Sequence, residues 1–221
     1  MPELGATKKP RLLIADDHSI ILAALQKLME GACEVVGVVE DGRALVEAAE
    51  RLQPDLVMMD ISLPLLNGID AARQIKKSVP DARLIFLTMH ASQVFVTAAL
   101  EAGAHGYLLK QSAASELPQA IEKVLKGSIY LTPAVAMPSL DSRVTKMRTP
   151  LMRLTPRQRE VLQLLAEGKS PKEIAVLLSV SVKTVEFHKT QLMEKLDLHS
   201  TLALAKFAIA EGLVSADTGL S

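Results

Sequence analysis

Residues 56–64 read LVMMDISLP, an apolar run that closes on a carboxylate, Asp60, four positions before Pro64. A strand that is apolar at every position, not at alternate ones, suits a parallel sheet covered by helices on both faces. An Asp after a strand is ordinarily a turn residue or a helix cap. Its meaning here depends on what the rest of the chain places beside it.

Four runs of the same kind occur elsewhere in the first half: RLLIA from 11, EVVGVV from 34, RLIFL from 83 and HGYLL from 105. Between them lie segments with helical apolar spacing, such as Ile21, Leu22, Leu25, Leu28 and Met29, or Leu45, Val46 and Ala49. Strand then helix, five times, predicts an α/β domain with a doubly wound five-stranded parallel sheet over residues 10–127. Helices are expected at 19–30, 43–52, 68–77, 92–102 and 113–126, the last closed by Gly127. Periodicity then lapses, and three prolines among small residues mark 128–150 as a linker.

Order resumes at LTPRQREVLQLLAEG, where Thr155 can cap a helix, Pro156 suits its first position and Gln158 completes a capping box. The signal repeats at once with Ser170, Pro171 and Glu173. A tight turn at 179–181 leads into a longer helix near 182–197, and a fourth spans about 201–211. Residues 151–215 therefore read as a small all-α domain of four helices.

Composition narrows the classes. The 221 residues suit one domain of ordinary size plus a smaller one. Aromatics make up only 3%, so Leu, Val, Ile, Ala and Met must fill the cores. The single cysteine, Cys33, excludes an internal disulfide and reads as a small buried hydrophobe, consistent with a reducing cytoplasm. No signal-peptide core and no apolar run of membrane-spanning length is present, so no membrane association is expected. Charge is uneven: residues 1–130 hold 13 Lys and Arg against 16 Asp and Glu, whereas 151–221 hold 9 against 8. A protein that grips nucleic acid by bulk charge alone is thereby excluded.

In open α/β sheets ligands bind beyond the carboxyl ends of the strands. Asp16 and Asp17 follow strand one, Asp60 follows strand three, Thr88 strand four and Lys110 strand five. Taken singly, each is a turn residue, a cap or a surface cation. Together they put three carboxylates, a hydroxyl and an ammonium at one rim. Clustered carboxylates repel unless a hard divalent cation holds them, and Mg²⁺ suits that donor set. Lysine can neutralise an incoming phosphoryl group, a Thr hydroxyl can hydrogen-bond it, and an Asp so placed can be the nucleophile that becomes an aspartyl phosphate.

These motifs, ADDH (15–18), MMDISLP (58–64) with Asn67 and Gly68, LTMH (87–90) and AHGYLLK (104–110), resemble a response-regulator receiver domain. The resemblance implies a strand order 2-1-3-4-5, phosphorylation of Asp60 by a sensor histidine kinase, and Mg²⁺ held by Asp16, Asp17, Asp60 and the backbone carbonyl of Ser62. It further implies that Thr88 and Lys110 contact the phosphoryl group and that Tyr107 turns inward as a switch. Read as a residue alone, Tyr107 is equally well a core aromatic.

In the second half, a helix, a short turn and a longer helix form a helix-turn-helix pattern, whose later helix enters the DNA major groove. Val182, Val185, Leu192, Met193 and Leu196 mark its inner face. Lys183, Thr184, Glu186, Phe187, Thr190 and Gln191 mark an outer face able to touch phosphates and base edges. Residues 151–213 resemble a LuxR-type helix-turn-helix, departing from it at Gln158, Pro171 and Leu202–Leu204. The two halves together resemble NarL/FixJ response regulators. Such a chain is expected to bind double-stranded DNA as a phosphorylation-dependent homodimer, through an apolar stripe of Leu204, Phe207 and Ala208 on the fourth helix. Two rivals stay open. An aspartyl-phosphate hydrolase usually has a second Asp two residues after the nucleophile, where Ser62 stands here. A phosphorylation-gated adaptor would bind protein and not DNA.

Overall fold

The computed structural model describes residues 9–136 and 150–215. Six strands form one sheet: β1 (Arg11–Ala15), β2 (Glu34–Val39), β3 (Leu56–Met59), β4 (Arg83–Thr88), β5 (Gly106–Leu109) and β6 (Tyr130–Leu131). All pair in parallel, in the order β2-β1-β3-β4-β5-β6. The helices α1 (Ser19–Met29), α2 (Gly42–Leu52), α3 (Gly68–Ser78), α4 (Gln93–Glu101) and α5 (Ala113–Leu125) follow β1 to β5 in turn.

Successive strand residues enter opposite layers. Leu13, Val57, Met59, Leu84 and Phe86 pack against α2, α3 and α4, while Leu12, Ile14, Leu56, Met58, Ile85 and Leu87 pack against α1 and α5. Two covered faces are the reason β1, β3, β4 and β5 are apolar along almost their whole length. Cys33 is buried in the second layer, where desolvation pushes its thiol pKa up.

The five-stranded expectation is corrected by β6, which pairs with β5 at Gly106 and Tyr107 inside the stretch assigned to the linker. A short helix, α6 (Pro133–Ala136), follows. Glu116 on α5 accepts hydrogen bonds from Tyr130 Oη (3.0 Å) and Thr132 Oγ1 (2.8 Å), and Val135 is buried in the first core layer. A two-residue strand has no periodicity to read; its stability comes from the exposed edge of β5 and from Glu116. The remainder of the expected linker, 137–149, lies outside the described residues.

Four helices build the C-terminal domain: α7 (Pro156–Ala166), α8 (Pro171–Leu177), α9 (Val182–Leu196) and α10 (Thr201–Ala210). Both expected capping boxes are present, Thr155 with Gln158 and Ser170 with Glu173. Leu204 and Ala208, however, are fully buried in this domain's own core beside Val161, Leu162, Leu164 and Val185. The stripe expected to join two copies therefore holds α10 to its own domain. An apolar helix face states that something covers it, and a small domain first covers its own core.

The domains touch. The Arg159 guanidinium on α7 grips Asp70 on α3 through two hydrogen bonds of 2.9 and 2.6 Å, and Gln163 and Glu167 reach the β3–α3 loop. At the other end of α10, Gly212 lies against His90 and Phe95, where an added Cβ would approach both rings to 2.9 Å.

His105, entering β5, accepts the Leu84 backbone N–H through Nδ1, and burial with Lys76 and Arg83 nearby lowers its pKa from 6.5 to about 4. Below pH 6.5 the unfolded chain binds a proton that the folded chain refuses until about pH 4. Stability of the N-terminal domain should therefore fall as pH drops through that window. Thermal melts of wild type and His105→Gln between pH 7 and 4 should show a shallower pH slope in the variant.

Candidate functional site

The sheet order reverses direction between β1 and β3, because the chain winds outward from β1 to β2 and then returns to β3 on the other side. A crevice forms at the carboxyl ends of strands flanking such a reversal. Register aligns Ala15 with Met59, and the Asp60 N–H donates to the Ala15 carbonyl at 3.1 Å. The next residues, Asp16 and Asp60, consequently emerge side by side.

Lys110, just beyond β5, reaches into that crevice. Its Nζ lies 2.7 Å from Asp16 Oδ2 and 2.7 Å from Asp60 Oδ2, and all three side chains are buried. Burial opposes the ammonium's charge, but Asp60 and Asp16 outweigh it and hold the lysine pKa above its usual value. Asp60 Oδ1 also accepts its own loop's Ile61 N–H at 2.6 Å. Thr88, fully buried at the end of β4, accepts the His90 N–H at 3.3 Å. Thr88 thus stands at the same end of the sheet without a hydrogen bond to Asp60.

Asp17 Oδ1 is buried and accepts no well-directed hydrogen bond, although His18 Nδ1 lies 2.8 Å away. Burial raises the pKa of this carboxyl, with His18 opposing and the charges of Asp16 and Asp60 adding to the rise. Ligand atoms of Asp16, Asp17 and His18 all lie within 4.8 Å of one another. These three could hold a divalent cation such as Mg²⁺, and an under-bonded buried carboxylate oxygen fits that role. Asp60 does not belong to this close group, although Lys110 bridges it to Asp16. His18 was present in the ADDH motif but carried no signal, since a half-exposed His after two Asp also reads as a turn.

Tyr107 is fully buried, and its hydroxyl donates to the His90 carbonyl at 2.7 Å. Burial, then the charge of Asp60, push its pKa up. The ring points inward, packed near Phe86 with a centroid separation of 6.5 Å. Sequence reasoning also passed over the Ser62 Oγ to His90 Nε2 contact of 3.1 Å beside Asp60.

On α9, Lys183, Glu186, Phe187 and Thr190 are exposed, with Phe187 at 57%. Two expected members of that face differ. Gln191 is part-buried and accepts from Gln158 Nε2 at 3.3 Å, and the Thr184 hydroxyl pairs with the capping Ser181 at 2.8 Å. Of the expected inner face, Val185 and Leu192 are buried whereas Val182, in the first turn, is 41% exposed. A helix of 3.6 residues per turn places border positions on either side, and the neighbouring α7 decides which.

Comparison with known proteins settles the family. The response regulator receiver domain matches residues 12–122, and the luxR family of bacterial regulatory proteins matches 152–208. The chain belongs to the response regulators. The transcriptional regulatory protein MctR of Rhizobium johnstonii is 35% identical over 95% of this chain and 98% of its own. RcsB of Salmonella enterica serovar Typhimurium, solved bound to promoter rprA with the phosphomimetic BeF3-, is 32% identical with a TM-score of 0.61, over 90% of this chain and 98% of that one. A structure of two RcsB dimers bound to two parallel DNAs has a TM-score of 0.56 at 32% identity and the same coverage. Among the described residues no helix is long and apolar enough to cross a membrane.

A cation held by Asp16, Asp17 and His18 would have a measurable consequence. At ten times its dissociation constant, Mg²⁺ should stabilise the folded chain by about 1.4 kcal/mol. Differential scanning calorimetry should show that gain in wild type and its loss in Asp17→Asn.

Proposed function

We propose that this regulator accepts a phosphoryl group on Asp60 from a sensor histidine kinase in the cytoplasm, and that its C-terminal domain then binds double-stranded DNA as a homodimer. The observation that carries the reading is the buried Lys110 bridge between Asp16 and Asp60 at the crevice where the sheet reverses.

Each residue's role follows from its place. Asp60, paired with Lys110, is the nucleophile: its carboxylate oxygen forms the new P–O bond as the P–N bond to the donor imidazole breaks. The leaving nitrogen keeps the bond's electron pair and takes up a proton. Lys110 then shifts its ammonium from Asp60 to the phosphoryl oxygens, and the Thr88 hydroxyl donates to another of them. Asp16 and Asp17, with the Ser62 carbonyl on the loop after Asp60, would hold Mg²⁺. The cation supplies positive charge that offsets repulsion between the carboxylates and the entering phosphoryl group. Asp60 is consumed and regenerated on its own chain, so the protein is the substrate of its kinase and not an enzyme in the usual sense.

The DNA reading draws on the exposed α9 side chains. Lys183 offers a phosphate contact, Thr190 and Glu186 can meet base edges, and Phe187 can touch a thymine methyl. Thr184 and Gln191 would first have to leave Ser181 and Gln158. A near-neutral domain binds one half-site weakly, which favours two copies on paired half-sites. Leu202, 64% exposed on α10, leaves an apolar contact for the second copy.

Asp60→Asn should abolish labelling by a small phosphodonor with Mg²⁺; stoichiometric labelling that persists would put the acceptor elsewhere. In binding titrations over a range of salt, Lys183→Ala should weaken all DNA sequences alike and reduce the salt slope by about 1. Thr190→Ala should instead change which sequences are preferred. No DNA affinity in either phosphorylation state would favour a protein-binding adaptor.

A further inference from the structure

The loop between Asp60 and α3 is held from outside its own domain. Gln163 on α7, fully buried, donates through Nε2 to the Leu63 carbonyl at 2.9 Å and accepts the Asn67 N–H on Oε1 at 2.8 Å. Glu167, just past the end of α7, accepts the Leu65 N–H at 3.0 Å and is itself oriented by Gln163 Nε2 at 2.8 Å. Three of the five backbones from Leu63 to Asn67 therefore satisfy a polar group only through α7. Leu65 also adopts a left-handed φ of 63°, which a leucine holds only where its surroundings impose it.

The same helix grips the next turn. Arg159 forks onto both oxygens of Asp70, which also takes Arg73 at 2.8 Å and Asn67 Nδ2 at 2.9 Å. Burial opposes the Asp70 charge, but Arg159 and these partners outweigh it and keep its pKa below the ordinary value. Asn67 caps α3, and Gly68 follows with its N–H on the Ile61 carbonyl at 2.8 Å. A Cβ at Gly68 would stand 2.0 Å from the Asp60 carbonyl oxygen. The start of α3 thus rests on the main chain of Asp60, and displacement at Asn67 is passed to it directly. Meanwhile Lys183, Glu186, Phe187 and Thr190 stay exposed, so this contact does not act by covering the α9 face.

We infer that α7 is a latch on the phosphorylation loop, with Arg159, Gln163 and Glu167 as positioning residues that hold the loop in its resting form and slow phosphoryl transfer to Asp60. The inference rests on Asp60 being the acceptor. Coupling between two sites is reciprocal, so phosphorylation of Asp60 loosens α7 as much as α7 disfavours phosphorylation.

The test uses the full chain as wild type, Arg159→Ala and Glu167→Ala. With acetyl phosphate and Mg²⁺, initial labelling rates should rise several-fold in both variants. Arg159→Lys, which keeps the charge but loses the two-pronged geometry, should fall between. Equal or slower rates in variants with a native melting transition would overturn the latch. Amide hydrogen exchange at Leu65 and Asn67, measured without phosphodonor, reads the latch independently of the chemistry. Both amides should be protected in wild type and exchange faster in the variants, and unprotected amides in wild type would overturn the latch. If wild type takes no label at all, the acceptor assignment fails while hydrogen exchange still decides the latch. Glu167→Gln serves the same comparisons should either alanine variant fail to fold.

Discussion

One ammonium, that of Lys110, stands between the carboxylates of Asp16 and Asp60 at 2.7 Å from each. The parallel pairing of β1 with β3 makes that contact necessary. With Ala15 opposite Met59, the next residue on each strand must emerge beside the other, and two buried anions at that spacing repel unless a cation separates them. Removing one member of such a buried cluster ordinarily costs about 3–5 kcal/mol, because the remaining charges lose their compensation. The crevice is therefore poised. Its lysine brings positive charge between the two carboxylates, and Asp17 Oδ1 is buried nearby without a well-directed hydrogen bond.

The consequences spread along the backbone leaving Asp60. The loop returns at Gly68 to rest against Asp60 itself, where only a residue without a Cβ fits. That close return makes the start of α3 an extension of the site, and α3 in turn is where Arg159 and Gln163 attach the DNA-binding domain. The interdomain contact combines these hydrogen bonds with Leu65 packed against the C-terminal core, and leaves Arg43 Nε and Nη2 buried without a hydrogen bond. Such a joint suits a device that must open. An apolar interface of equal area would hold the same orientation but resist the small charge change that phosphorylation brings.

Much of this was legible from residues alone, for identifiable reasons. The strands β1, β3, β4 and β5 were legible because burial on both faces makes nearly every position apolar, and the half-buried edge strand β2 was legible from its valines. Both C-terminal capping boxes were legible because capping is satisfied within four residues of the chain. The convergence of Asp16, Asp60 and Lys110 could be anticipated from strand ends, since a parallel sheet brings all of its carboxyl ends to one side. What escaped was whatever depended on a distant partner. The β6 strand exists through the open edge of β5 and the Glu116 carboxylate; His18 joins Asp16 and Asp17 only because α1 starts where it does; Gln191 turns away from the outer face to meet Gln158.

Local pattern by itself therefore determined the five strands from β1 to β5, the helices that follow them and those of the second domain, and which charged groups share a rim, because each is decided by period, capping and register over a few neighbouring residues. Tertiary structure alone decided that Leu204 and Ala208 serve their own core, that Tyr107 is buried with its hydroxyl on the His90 carbonyl, and that α7 meets the receiver. Periodicity tells that a face is covered and not by what, and the choice of covering surface is made by shape and hydrogen-bond complementarity between segments some hundred residues apart.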